Sequence, residues 1–277
     1  MSSLPTAARA PATDVPGRAR SPVVRGMIAR LPGAVLLCGF VVAWHFAVVL
    51  SDISSMLFPG PLEVWRELGE ISRNGLLVKA SRETVVPLLT GLVIGVGAGL
   101  LLGLLIGTSR RADMVTQPYM WGMFTTPDIA FVPIVIAWFG FGTTTKVLMV
   151  TLAVMIPMAI AVRDGVRTLD DSMVRVAVAF CASGRDLLRK VVLPATIPSV
   201  ANGVRNGISK GFTGVLVVEM TVGSSGLGRQ VIYTMIQFDM ARMFAFVAVL
   251  VVIAVVLIAL SKRLEAYASR WREEVAL

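Results

Sequence analysis

The chain has 277 residues, of which 56% are hydrophobic and 16% charged, with a formal net charge of +9 and a mean hydropathy of +0.78. A soluble domain carries about 25% charged residues, so this composition excludes one and indicates a polytopic helical membrane protein; a transmembrane barrel would show short alternating strands instead. The positive charges lie in the gaps between apolar runs and form no contiguous patch, which argues against nucleic acid as a partner.

In chain order, residues 1–31 are rich in Ala, Pro and Arg and are expected to form a disordered tail. They are long for the basic region of a signal peptide, and no convincing cleavage site comes after them, so 32–51 is expected to be a retained span. Five further spans fall near 83–107, 115–139, 146–162, 199–222 and 243–261. Cys38 in the first span and Cys181 in a loop have no obvious partners, and no disulfide is expected.

Between the first two spans, "PGPLEVWRELGEI" reads as a turn and then a short amphipathic helix with Leu62, Trp65 and Leu68 on one side, suited to a membrane surface. The second span carries Gly91, Gly95, Gly99, Gly103 and Gly107, a strip with a period of four that lets another helix approach closely. Gly203, Gly207, Gly211 and Gly214 repeat the device in the fifth. The third span is interrupted at "FTTPDIAFVP", because Pro127 and Pro133 cannot continue the hydrogen-bond ladder. Thr126, Pro127 and Asp128 there read as N-cap, N1 and N2 of a restarted helix.

Lysines and arginines set the expected orientation. Seventeen fall in 1–31, 108–113, 163–198 and 262–277, against seven in 52–82, 140–146 and 223–242. Both tails (1–31 and 263–277) and the loop at 163–198 are therefore expected to be cytoplasmic, around a membrane domain at 32–262. That loop is too long to lack structure in a compact protein. Ser183 and Asp186 make an S-x-x-D capping box, Leu187, Leu188, Val191 and Val192 an apolar stripe, and Arg185, Arg189 and Lys190 a polar one. Pro194 is expected to end this helix. Such a helix either lies on lipid or seats in a groove on a partner protein.

Four ionisable residues fall within spans, where they are functional candidates by default. Asp128 either caps the restarted half-helix or faces a pathway. Glu219 lies near the outer end of the fifth span, close to water. Arg205 can reach lipid phosphates. Lys210 sits near midspan and either pairs with an acid such as Asp128 or lines a pathway, in which case an anionic solute is implied. His45 stands alone in the first span and is assigned no role. There is no metal cluster, no Ser-His-Asp set, and no phosphate-binding loop, since no lysine comes directly after a glycine. The chain is therefore expected to be a pathway without enzymatic activity or a cofactor of its own, driven by something else.

"GRDLLRKVVLPATIPSV" resembles the second half of the cytoplasmic loop of permease subunits of binding-protein-dependent ABC importers. "FPGPLEVW", "TPDIAFVPIVIAWFGFG", "VVLPATIPSVANGVR", "VVEM" and "GSSGLG" resemble the branch that imports aliphatic sulfonates, taurine and nitrate. The resemblance implies an all-α, polytopic fold of about six transmembrane helices, the type I importer bundle. It also implies a membrane homodimer, a cytoplasmic ATPase subunit that binds the ATP, and an extracytoplasmic substrate-binding protein. It assigns Arg175, Ala177, Cys181, Ser183, Gly184, Asp186, Leu187, Leu188 and Pro194 to the ATPase-coupling loop. Asp128, Lys210 and Glu219 are candidates for the translocation path. Arg175-Val176-Ala177 stands where the family has Glu-Ala-Ala, and Cys181 where it has glycine. A glycine there permits positive φ, so the turn before Ser183 is expected to be built differently or to use a negative φ. The competing readings are a secondary transporter driven by an ion gradient, which would show paired broken helices, and a non-transporting scaffold that uses the basic loop.

Overall fold

The computed structural model describes residues 22–50, 54, 56–223 and 225–268. The chain divides into two units, meeting between Asp52 and Ile53. The first contains α1 (Pro22–Leu50), which is already helical ten residues ahead of the expected first span; residues 1–21 of the expected tail lie outside the described residues.

The second unit runs through α2 (Pro61–Arg73), α3 (Leu76–Thr108), α4 (Arg110–Thr125), a 3₁₀ turn (Asp128–Phe131), α5 (Val132–Phe139) and α6 (Thr143–Arg167). It continues with α7 (Asp171–Ala179), α8 (Gly184–Leu187), a π-helical turn (Leu188–Val192), α9 (Leu193–Thr221), α10 (Leu227–Ile236) and α11 (Met240–Ala268). Among the described residues α3, α6 and α11 are long and apolar enough to cross a bilayer, and the bent pair α4–α5 brings the number to four. α9 is as long as α11 but carries Arg205, Lys210 and Glu219, which keep it below that apolarity. With α1, these elements are compatible with about six spans.

The core of this unit is α6, held between the glycine strips of α3 and α9. Lipid tails are as apolar as leucine, so helices in a membrane gain little from hydrophobicity and associate through close packing. On α3, a Cβ built at Gly91 would lie 2.6 Å from the Val150 Cβ, and one at Gly99 would lie 2.6 Å from the Met155 carbonyl oxygen. On the other side of α6, a Cβ at Gly203 would lie 2.6 Å from the Met158 sulfur and one at Gly211 2.9 Å from Val154. Both strips thus serve helix packing, and Val150, Val154, Leu88 and Val215 form a fully buried cluster where the three helices meet.

The third span breaks as the prolines require. Thr126 precedes Pro127 and adopts an extended backbone, with φ −67° and ψ 130°, because the proline ring excludes the helical region for the residue before it. Pro133 falls in the first turn of α5, where its missing N–H has no helical partner to lose. The two halves meet at 97°. Thr126 is the C-cap of α4, its hydroxyl donating back to the Gly122 carbonyl, and it does not N-cap the 3₁₀ turn. That turn starts from Pro127 without a side-chain cap, so the expected capping role of Asp128 is not found.

Ion pairs close both ends of the bundle. At one end Arg242 of α11 meets Glu67 of α2 at 2.9 Å, and α2 buries Val64 and Ile71 while Leu62 and Trp65 stay exposed. At the other, Asp113 of α4 meets Arg163 at 2.6 Å and Arg167 at 3.3 Å, both on α6. Arg205 of α9 faces Glu265 of α11 at 3.6 Å rather than reaching outward alone.

The α3–α6 contact makes a direct prediction. Gly99→Val should lower the thermal unfolding midpoint of the detergent-purified protein steeply, since overpacking costs about 1–3 kcal/mol or more. Gly97→Ala, where a Cβ meets nothing within 4 Å, should leave the midpoint within error.

Candidate functional site

The 97° bend leaves room between the broken span and its neighbours. A half-enclosed cavity of about 280 Å³ opens there, walled by Phe124 of α4, Phe131 of the 3₁₀ turn, Trp138 of α5 and Leu152 and Ile156 of α6. Two charged residues line it: Asp128 from the 3₁₀ turn and Lys210 from α9. The Lys210 ammonium lies 5.0 Å from the centroid of the Phe124 ring, within range of a cation–π attraction. Of the two readings of Lys210, the pairing with Asp128 is not found, and among the described residues neither side chain has an ionic or hydrogen-bonding partner within bonding distance. The cavity therefore combines an aromatic and aliphatic wall with one acid and one base that do not neutralise each other by contact.

Glu219, expected near water, is fully buried and lies away from this cavity. Its carboxylate accepts from the Lys146 ammonium at 2.7 Å, from the Thr84 hydroxyl at 2.9 Å and from the Gly228 amide at 2.9 Å. Lys146 also donates to the carbonyls of Glu83 at 3.1 Å and Ser225 at 2.8 Å. The Thr84 hydroxyl accepts from the Leu227 amide at 2.8 Å, and the Glu83 carboxylate accepts from the Gly226 amide at 3.0 Å. This set locks α3, α6, α9 and the entry to α10 together. A buried pair holds only when its remaining donors and acceptors are met, and here the surrounding groups meet them. In the sequence Lys146 falls on a boundary, as the last residue of 140–146 and the first of the expected span 146–162, just after the polar run Gly-Thr-Thr-Thr. The available signal was its position one residue before an apolar run, in a chain with an acid near the end of another.

The loop after α6 is ordered. α7 ends in a Schellman turn: the Ala182 amide donates to the Ala177 carbonyl at 3.0 Å and the Cys181 amide to Val178 at 2.9 Å. Cys181 takes φ +56°, so the left-handed turn is kept at a position where a side chain makes it costly, and the expected negative φ is not found. Ser183 caps α8, its hydroxyl oxygen accepting from the Asp186 amide, with Gly184 at the first helical position. The Asp186 carboxyl is held below the ordinary carboxylate range by its hydrogen bond to Lys190, with Ser183 adding to it. Leu187 and Leu188 are half-buried, while Arg175, Arg185, Arg189 and Phe180 are exposed.

Pro194 does not end the helix. The Leu193 amide donates to Leu188 across a widened turn, and the α register restarts with Pro194 in its first turn, where an N–H has no helical partner. Gly184 to Thr221 is therefore one continuous helical path.

Comparison with known proteins decides what this bundle belongs to. Residues 95–273 match the description "binding-protein-dependent transport system inner membrane component". The chain belongs to that family. It is the membrane permease subunit of an ABC importer, a transport subunit rather than an enzyme, in a system whose ATPase and substrate-binding protein are separate chains. The permease is 26% identical over 98% of its length to the putative aliphatic sulfonates transport permease protein SsuC of Bacillus subtilis, covering 95% of that protein. It is 27% identical to the taurine transport system permease protein TauC of Escherichia coli, over 67% of this chain and 69% of that one. In fold it matches a chain of the inward-facing MetNI methionine ABC transporter with a TM-score of 0.60 at 19% identity, covering 70% of this chain and 95% of that one.

The buried pair sets a test of the permease's stability. Lys146→Met and Glu219→Gln should each cost about 3–5 kcal/mol, because each leaves its partner buried with part of its bonding unmet. The double substitution should cost less than the two added, giving a coupling energy of about 1–3 kcal/mol in a denaturation cycle.

Proposed function

We propose that two copies of this permease form one translocation path for a small solute, with ATP hydrolysis on a docked partner driving alternation between outward and inward states. The excess of Lys and Arg in 1–31, 108–113, 163–198 and 262–277 supports cytoplasmic termini and a cytoplasmic α7–α8 loop. Arg175, Ala177, Cys181, Ser183, Gly184, Asp186, Leu187, Leu188 and Pro194 form the segment on which the ATPase docks. ATP stays on that partner, and the permease uses no cofactor of its own. Exposed apolar side chains on α4 and α5, among them Tyr119, Ile134 and Trp138, support a second copy against the open side of the cavity. A binding protein delivers the solute at the α2–α10 end.

The observation that carries this reading is the continuity of the loop helix with α9. The segment bearing Leu187 and Leu188 runs without a break into the helix that brings Lys210 to the cavity. A change of seating at the loop can thus move a cavity wall.

A pull-down of the tagged full-length permease in mild detergent, read by mass spectrometry, tests the docking. The unaltered protein should recover an ABC ATPase, and Leu187→Asp with Leu188→Asp should lose it. An ATPase recovered equally by both would overturn this site; none recovered by either would overturn the coupling reading. Cys181→Gly should keep the recovery and raise the loop's resistance to proteolysis, because it removes about 1 kcal/mol of left-handed backbone cost.

A further inference from the structure

The cavity beside the broken span has a chemistry more specific than that of a path for anions. Phe124, Phe131 and Trp138 give it flat aromatic surface, and Leu152 and Ile156 an aliphatic wall. Its volume of about 280 Å³ lies at the small end of the roughly 300–1,000 Å³ usual for small-molecule sites. Lys210 and Asp128 both line it, and they form no ion pair with each other or with any other described residue. A purely anionic solute would answer Lys210 and meet Asp128 unfavourably. A cation would do the reverse. A solute carrying both charges satisfies the two groups together, and like-charge contacts are what such a site selects against.

We propose that this cavity is a holding site for a small aromatic solute that carries one anionic and one cationic group. Lys210 takes the anionic end, Asp128 the cationic end, and the Phe124, Phe131 and Trp138 rings take the flat body. The proposal rests on the permease reading and narrows its cargo: a compact inorganic anion uses neither the rings nor Asp128, and an aliphatic bipolar molecule leaves the rings unfilled.

The test uses the full-length permease in lipid nanodiscs, with dissociation constants from saturation-transfer NMR for 4-(aminomethyl)benzoate, benzoate, benzylamine and taurine. The bipolar aromatic probe should bind at least tenfold more tightly than each of the other three. Lys210→Gln should make benzylamine the tighter of the two singly charged probes by tenfold or more, and Asp128→Asn should do the same for benzoate. A structural role for either residue would weaken all probes together and would not reverse this order. Benzoate or taurine binding as tightly as 4-(aminomethyl)benzoate, an order unchanged by both substitutions, or no saturable binding of any probe would each overturn the proposal. Because no ATPase or binding protein is present, these failures leave the docking result standing and are distinguishable from a failure of the permease reading.

Discussion

Everything in this bundle depends on how closely α6 can be approached. Its two neighbours are as apolar as the lipid they displace, so burial alone gives little reason for the three helices to stay together. Glycine strips supply the reason by bringing backbones near enough for many weak contacts, and Val154 shows the result: it fills space left by Gly95 on one side and by Gly207 and Gly211 on the other. The Lys146–Glu219 pair then fixes how the three helices slide along one another, since the carboxylate must meet the ammonium, the Thr84 hydroxyl and the Gly228 amide together. Dispersion holds the helices side by side, and the polar set fixes their register.

Against that rigid trio the broken span is free to be different. α4 and α5 cannot be collinear once Thr126 is pushed into extended backbone, and the angle between them leaves side chains from both halves facing α6 and α9. Irregular backbone at membrane depth is tolerated where it borders protein or a cavity rather than lipid, and this break does both. The same break that removes a stretch of helix supplies Asp128 and Phe131, so the loss of regular structure and the gain of a lined space have one cause.

Much of this was legible in the sequence, and the omissions have physical reasons. A period of four in the glycines is a property of one helix, so the packing faces of α3 and α9 could be read directly. The prolines announced the break, but not its angle or what it would face, because those depend on neighbours far along the chain. Glu219 was visible as an intramembrane acid, yet its partner was hidden: Lys146 comes after a polar stretch that looks like a boundary, and only the fold of Ser225–Gly228 over it buries the ammonium. Pro194 misled because a π turn has no residue signature, and the register shift that makes the proline harmless arises only when the chain is wound. Cys181 misled in the opposite sense, since two hydrogen bonds across the end of α7 hold a cysteine in a backbone region it rarely visits unaided.

The unbroken winding from Gly184 into α9 has a mechanical meaning. At 1.5 Å per residue, the path from Gly184 to Lys210 is a rod of about 40 Å. Its near end stands outside the trio, and its far end borders the cavity within the strip of Gly203, Gly207, Gly211 and Gly214 that packs on α6. The rod is thus gripped around Lys210, and the five-residue π turn lies toward its other end. Any motion handed from the loop to the face that carries Lys210 has to pass through that widened turn, so the π turn sets how stiffly the two ends are joined.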